Sequence, residues 1–282
     1  MEDQHCIRPV HVEELFKSKN PRLARLIPGF VYSFLRRVIH EEEINEFIAR
    51  YGDRRGLAFA DGMLEFLKVS YRVEGLENLP AAGGRYIFAS NHPLGGPDGV
   101  ILISFLGTRY PDLKFPVNDL LLNLKNLNNV FLAVNKHGGL AKEAVAAIEQ
   151  AYASSCQMIM FPSGMVSRKQ HGVIEDLTWQ KSFVAKAIQY ERDIVPIFIE
   201  GKNSNFFYNL SNFRKVIHLK ANLEMLYLPD ETFRKRGETF TIHIGQPIGW
   251  QSLDKSRKPM EWAEEIRQQV YRMRNDGERS VR

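Results

Sequence analysis

Apolar positions in the first 75 or so residues recur at helical spacing. Leu23, Leu26, Ile27, Phe30, Val31, Phe34, Leu35 and Val38 fall on one face of a 3.6-residue repeat, flanked by Arg22, Arg25, Arg36 and Arg37. Pro28-Gly29 predicts a kink or break within that run. Two readings of the run stand side by side and do not exclude one another. It is a helix packed on the protein's own core, or an interfacial helix resting on an anionic membrane.

From about residue 85 the pattern changes to short β-rich runs. "RYIFAS", "KFPV", "VFLAV", "QMIMF", "IVPIFIE", "LEMLYL" and "TFTIHIG" all read as strands. Helical stretches such as "GGLAKEAVAAIEQAYA" and "TWQKSFVAKAIQY" separate several of them, and "KPMEWAEEIRQQVYRMR" reads as a closing helix. Near-continuous apolar strands alternating with helices predict an α/β fold, a mainly parallel mixed sheet flanked by helices on both faces. The expected organisation is a helical N-terminal extension over residues 1–75, with possible membrane-surface contact, and one α/β domain over residues 76–282. No internal repeat or low-complexity linker divides it.

Bulk composition narrows the picture only a little. The 282 residues are 44% hydrophobic and 25% charged, ordinary for a chain with a real core, and carry a formal net charge of +5. A mild basic excess suits an anionic partner without choosing among nucleic acid, anionic lipid and phosphorylated cofactor. Cys6 and Cys156 are far apart and outside metal-ligand spacing, so neither a disulfide framework nor a zinc site is expected. The N-terminus lacks the apolar core of a secretory signal, and no window approaches 18 consecutive apolar residues. A reducing, cytoplasmic location is the expectation.

"SNHPLGGPDG", residues 90–99, is where chemistry enters. The strand "RYIFAS" runs out into a turn that feeds the apolar helix "GVILISFLG". In such sheets, ligand sites lie at the carboxyl edge of the strands, where His92 falls. Asp98 sits just before the helical run, where a carboxylate caps orphan N–H groups. Gly95-Gly96 permits unusual backbone angles, and Pro93 and Pro97 stiffen the turn. A structural histidine and a plain cap are the bland readings. If the turn folds back, Asp98 accepts from one imidazole nitrogen and leaves the other to take a proton, a His–Asp pair without a serine. Such a pair suits activation of an external hydroxyl.

Three further strand ends carry polar groups beside turn formers. "MIMFPSGMVSR" supplies Ser163, Gly164 and Arg168; "VFLAVNKHGG" supplies Asn135, Lys136 and His137; "IVPIFIEGKNS" supplies Lys202, Asn203 and Ser204. Together with Asn91-His92 they read as one cleft mouth.

These segments, in this order, resemble the glycerolipid acyltransferases, the lysophosphatidic acid acyltransferase superfamily. The likeness runs from about residue 70 to residue 248 and rests on Asn91-His92 with Asp98, on "FPSG" and on "IVPI". The corresponding family motifs are Asn-His-x4-Asp, Phe-Pro-Glu-Gly-Thr-Arg-Ser and a Val-Pro-Ile strand. "FPSGMVS" with "GKNSNFFY" is more similar to the haemolysin-related branch, which includes O-acyltransferases of bacterial aminoacyl lipids such as ornithine lipids.

The resemblance implies a fold of the glycerol-3-phosphate acyltransferase type and a mechanism. His92 becomes general base for a lipid hydroxyl, Asp98 orients and supports the imidazolium, and the hydroxyl attacks a thioester on acyl carrier protein or coenzyme A. A well-placed base contributes about 10²–10⁴-fold, and oxyanion donors about 10²–10³-fold more; the N–H groups of Gly95 and Gly96 are candidates. No acyl-enzyme, bound cofactor or metal is expected. Asn91, Gly95, Gly96, Lys136, Ser163, Gly164 and Arg168 are the implied substrate-binding positions. Lys136, near a basic position of the family's second motif, is an anion-binding candidate or a solvated strand-end lysine. Pro196 is structural.

The sequence departs from the family pattern at three points. Asp98 lies one residue further from His92, the third-motif Glu is Ser163, and the Thr-Arg pair is Met165-Val166. Loss of that Glu and Arg argues against lysophosphatidate as acceptor, with Arg168 as a substitute cation. The expectation is an O-acyltransferase that completes a lyso-lipid, a lyso-aminolipid before a lysophospholipid. It would sit peripherally on the inner face of the cytoplasmic membrane and take acyl groups from acyl carrier protein or acyl-CoA. The alternative is a non-catalytic lipid- or acyl-chain-binding protein on the same fold. An esterase lacks its Gly-x-Ser-x-Gly elbow, and nucleic-acid binding has no motif behind it.

Overall fold

The computed structural model describes residues 9–19, 21–118, 121–134, 141–219 and 221–280. Five helices come first: α1 (Val12–Lys19), α2 (Pro21–Leu26), α3 (Gly29–Ile39), α4 (Glu41–Tyr51) and α5 (Leu57–Leu67). The break expected at Pro28-Gly29 is there, between α2 and α3. β1 (Ser70–Glu74) follows at once, so the sheet begins inside the stretch that the sequence reads as helical. Its exposure alternates residue by residue, as in an edge strand with one wet face, and so few apolar positions give a weak signal.

The chain continues through β2 (Tyr86–Ser90), α6 (Gly96–Gly107), β3 (Leu113–Val117), β4 (Phe131–Ala133), α7 (Ala141–Ala153) and β5 (Gln157–Met160). A hairpin, β6 (Arg168–Gln170) and β7 (Val173–Glu175), precedes α8 (Ser182–Gln189), β8 (Asp193–Ile199) and α9 (Asn205–Val216). Then come α10 (Leu228–Arg234), β9 (Thr239–Ile244) and α11 (Pro259–Ser280).

Seven strands form one sheet in the order β1-β9-β8-β2-β5-β3-β4, parallel throughout except for the antiparallel β8–β9 pair. Both faces are covered, and alternate residues of the central strands serve different cores. Phe88, Ile159, Val195 and Ile197 face α5 and α6, whereas Ile87, Ala89, Met158, Ile194 and Phe198 face the layer of α7, α8 and α11. Helix α6 is apolar nearly all round and buried from Pro97 to Leu106, wedged between the sheet and α5. Arg192 closes the other layer: fully buried, it donates to the carbonyls of Ala151, Tyr152, Ser154 and Cys156, the orphan acceptors around the end of α7.

One expected strand is absent. "LEMLYL" is a 3-10 turn (Leu223–Tyr227) that runs into α10. Leu, Glu and Met prefer helix, Pro229 suits a first helical turn, and Glu224 is pulled inward by two arginines rather than alternating to solvent.

Candidate active site

β2 is the middle strand, buried at every residue, with β8 on one side and β5 on the other, both parallel to it. The carboxyl ends of all three therefore open on the same edge. Just past the end of β2, Asn91 is buried and its amide extends the ladder sideways. Nδ2 donates to Ile199 O (2.9 Å), and Oδ1 accepts from Ile199 N–H (2.7 Å). Asn91 therefore fixes where the chain leaves the sheet and presents the next residue, His92, at the edge.

The imidazole of His92 is held by two neighbours. Nδ1 lies 2.9 Å from Asp98 Oδ2. The ring stacks on Phe161 at 4.0 Å between centroids and 12° between planes, and Phe161 is itself held edge-on by Phe115. The backbone of His92 is clamped too: its N–H donates to Asp176 Oδ1 (3.1 Å) and its carbonyl accepts from Ser167 N–H (2.8 Å).

Asp98 is the third residue of α6, fully buried, and its Oδ2 also accepts from the N–H groups of Leu94 (2.8 Å) and Gly95 (3.0 Å). The expected cap is real and coexists with the dyad: one oxygen organises the helix start and the imidazole together. Because Oδ2 faces two backbone donors, Nδ1 supplies the hydrogen in the third bond. Nε2 is left as the basic nitrogen, and among the described residues no hydrogen bond reaches it. The extra residue between His92 and Asp98 is taken up at Gly95, which adopts φ +95° and ψ −116°. A side chain there would be strained, and its Cβ would meet Leu228 at 3.0 Å.

The remaining expected site residues divide. The N–H of Gly95 is occupied by Asp98, so it is not a free oxyanion donor. Gly96 opens α6 with its Cα face against Thr232 (3.3 Å for an added Cβ). Ser163 turns its hydroxyl onto Met165 O (2.7 Å), closing the loop after β5, and Gly164 takes the left-handed φ of +64° that this turn requires. Lys136, with Asn135 and His137, lies outside the described residues.

Arg168 requires a correction. It is 2% exposed, donates to Val166 O and Glu224 Oε1, and lies over the ring of Phe207. Glu224 is completed by Arg214, which bonds both of its oxygens. The guanidinium thus anchors the loop after β5 to α9 and the turn before α10, instead of standing open for an acceptor phosphate.

Asp176 was missed by sequence reasoning. The β6–β7 hairpin, turning at His171-Gly172 with both φ values positive, brings it back against Ser167. Only 4% exposed, it accepts from Ser167 Oγ (2.6 Å) and the His92 N–H through Oδ1, and from Trp179 Nε1 (2.9 Å) through Oδ2. Its own N–H donates to Tyr271 Oη on α11 (2.7 Å). Burial pushes the Asp176 carboxyl up from its ordinary range, against the bonds from Ser167 and Trp179 and the nearby His92. "IEDLTW" gives no such signal by itself, since an acid two residues before a threonine reads as an ordinary loop.

An imidazole with one nitrogen fixed on a buried carboxylate and the other open has the arrangement that general-base chemistry requires. Comparison with known proteins gives the chain its family. The acyltransferase family model matches residues 14–279. The chain belongs to this family, within the glycerolipid acyltransferase superfamily. It is similar to a lyso-glycine lipid O-acyltransferase of Bacteroides thetaiotaomicron, 46% identical over 94% of this chain and 97% of that protein. A lyso-glycine lipid O-acyltransferase of Phocaeicola vulgatus is 42% identical, over 94% and 95% of the two chains. A more distant likeness is the crystal structure of the 1-acyl-sn-glycerophosphate (LPA) acyltransferase PlsC from Thermotoga maritima. It is 18% identical with a TM-score of 0.47, covering 92% of this chain and 86% of that one. The protein is an acyltransferase, and the non-catalytic alternative falls away. Among the described residues, no helix of this acyltransferase is long and apolar enough to cross a membrane.

Proposed function

We propose that the protein transfers a fatty acyl group from a thioester, on acyl carrier protein or coenzyme A, to the hydroxyl of a lyso-glycine lipid. The observation that carries this reading is the His92–Asp98 pair, with Nδ1 fixed at 2.9 Å from the carboxylate and Nε2 open. Nε2 takes the proton as the acceptor oxygen attacks the thioester carbonyl. The tetrahedral intermediate expels the thiolate, and the imidazolium returns its proton to that sulfur. One C–O bond forms, one C–S bond breaks, and no acyl-enzyme intervenes. The Asp98 carboxylate favours the imidazolium during the step and keeps the ring in the productive tautomer.

Two observations support an acyl-amino acid acceptor over lysophosphatidate. Relatives at 46% and 42% identity are named for lyso-glycine lipid. The loop after β5, residues 161–167, also holds no lysine or arginine, Ser163 closes its own turn, and Arg168 just beyond it is buried on Glu224. The enzyme acts peripherally, on the inner face of the cytoplasmic membrane, where its acceptor resides.

The test is an acceptor competition. Purified protein receives labelled acyl carrier protein or acyl-CoA with lyso-glycine lipid, lyso-ornithine lipid and lysophosphatidate side by side. Preferred transfer to the glycine lipid is expected. Preference for lysophosphatidate would overturn the acceptor assignment.

A further inference from the structure

Helix α9 and the turn before α10 bear on the site from below. Phe207 and Tyr208 are fully buried against Val166, and the Arg168–Glu224–Arg214 cluster ties both elements to the loop that clamps His92. Their outer side is different. Phe213 is 61% exposed, Val216 75%, Ile217 51% and Leu223 45%. Single exposed apolar residues are ordinary on a protein surface; a cluster of large ones within eleven residues is not.

The sequence of this segment is basic. Residues 201–226 contain Lys202, Arg214, Lys215 and Lys220 against one acid, Glu224, and that acid is buried. Lys202 and Lys215 are exposed. Helix α3, which packs against both α10 and the turn at Leu223–Tyr227, repeats the pattern with its neighbour α2. Leu26 is 78% exposed and Phe30 75%, and residues 21–39 hold four arginines and no acid. His40 Nε2 bonds Asp230 on α10 at 3.0 Å, which fixes the two faces against one another.

We propose that α9 and the Leu223–Tyr227 turn, together with the neighbouring α2–α3, are a membrane-docking surface that seats the enzyme on an anionic bilayer beside His92. Exposed aromatic and aliphatic side chains with lysines and arginines close in sequence are what the boundary between headgroups and acyl chains accepts. Glu43 and Asp230, acids nearby, are engaged with His40. An anionic leaflet draws each of those lysines and arginines. An acidic protein partner would use the cations but leave the apolar cluster wet. The inference rests on the reading of the acceptor as a membrane lipid.

Sedimentation with phosphatidylcholine–phosphatidylglycerol vesicles, containing no acceptor or donor, tests it for the full chain. Native protein is expected to bind them and to bind pure phosphatidylcholine vesicles more weakly. Phe213→Glu/Val216→Glu/Ile217→Glu, substitutions at exposed positions, is expected to lower partitioning about tenfold or more with an unchanged melting curve. Lys202→Glu/Lys215→Glu is the second variant, expected to erase the preference for anionic vesicles. Unchanged partitioning by both variants would overturn the proposal. So would a native protein that ignores vesicles, or variants that change only the oligomeric state or the KM for acyl carrier protein. Because these vesicles carry no substrate, failure of acyl transfer and failure of docking are read separately.

Discussion

Asp176 Oδ1 accepts the backbone N–H of His92 at 3.1 Å, from a residue 84 positions along the chain. The same oxygen takes the Ser167 hydroxyl, and Ser167 returns its N–H to His92 O. His92 is therefore fixed by two buried carboxylates, Asp98 at the ring and Asp176 at the backbone. Displacing a general base by even an ångström costs up to about a hundredfold in rate.

Asp176 is accordingly a positioning residue. Asp176→Asn keeps the shape but brings an amide donor among groups that already donate. The expected outcome is kcat lowered about 10–100-fold with KM for the acceptor unchanged, and an intact fold by circular dichroism. A rise in KM without a fall in kcat would contradict the role.

Asp98 and His92 should separate in their effect on stability. Asp98→Ala leaves the buried N–H groups of Leu94 and Gly95 without their acceptor, each such loss costing about 1–3 kcal/mol. His92→Ala leaves that cap in place. Both variants are expected to lose activity by about 10²-fold or more, while only Asp98→Ala shows a large drop in urea midpoint. Equal stabilities would argue against the dual role of Oδ2.

Gly95→Ala tests the turn itself. Its φ of +95° and the 3.0 Å approach of Leu228 leave no relaxed position for a methyl group. A loss of about 1–3 kcal/mol is expected, with activity falling because the strained segment links His92 to Asp98. A neutral variant would mean that the turn has another accessible form.

The Arg168–Glu224–Arg214 cluster is structural on this account. Glu224→Gln strands two arginines around a site with no exposure and is expected to cost about 3–5 kcal/mol. Arg168→Met is expected to lower the melting temperature without changing which acceptor is preferred. A selective rise in KM for a phosphate-bearing acceptor would return Arg168 to the binding site.

Acid should loosen the contact between the α3–α4 corner and α10. Burial alone would raise the Asp230 carboxyl, but hydrogen bonds from His40 and Arg234 outweigh it and hold it below the ordinary aspartate range. A lowered folded value means that the unfolded chain binds the proton first. The contribution is thus present above about pH 4 and lost as pH falls through the folded value. The gap in urea midpoint between native protein and Asp230→Asn is expected to narrow below about pH 4. A gap that stays constant from neutral to acid pH would contradict this.

Much of the site was legible in the sequence because its chemistry is local. His92, Asp98 and the glycines between them occupy one turn, and a strand followed by an apolar helix tells where that turn lies. The alternating-core strands were legible for the same reason: both faces of β2, β5 and β8 are apolar. What stayed hidden depends on distant partners. Asp176 acquires its role only when the β6–β7 hairpin folds back on Ser167, and Arg168 is withdrawn from the cleft by Glu224, 56 positions later. β1 is an edge strand with one wet face, and "LEMLYL" has strand-like apolar spacing that the pull on Glu224 overrides.

The most direct test is single-turnover acyl transfer from labelled acyl carrier protein or acyl-CoA to lyso-glycine lipid, comparing native protein with His92→Ala. The expected result is diacyl glycine lipid from the native enzyme and a rate about 10²–10⁴-fold lower from the variant, with lipid binding retained. Transfer by His92→Ala at the native rate would contradict the assignment of His92 as the base.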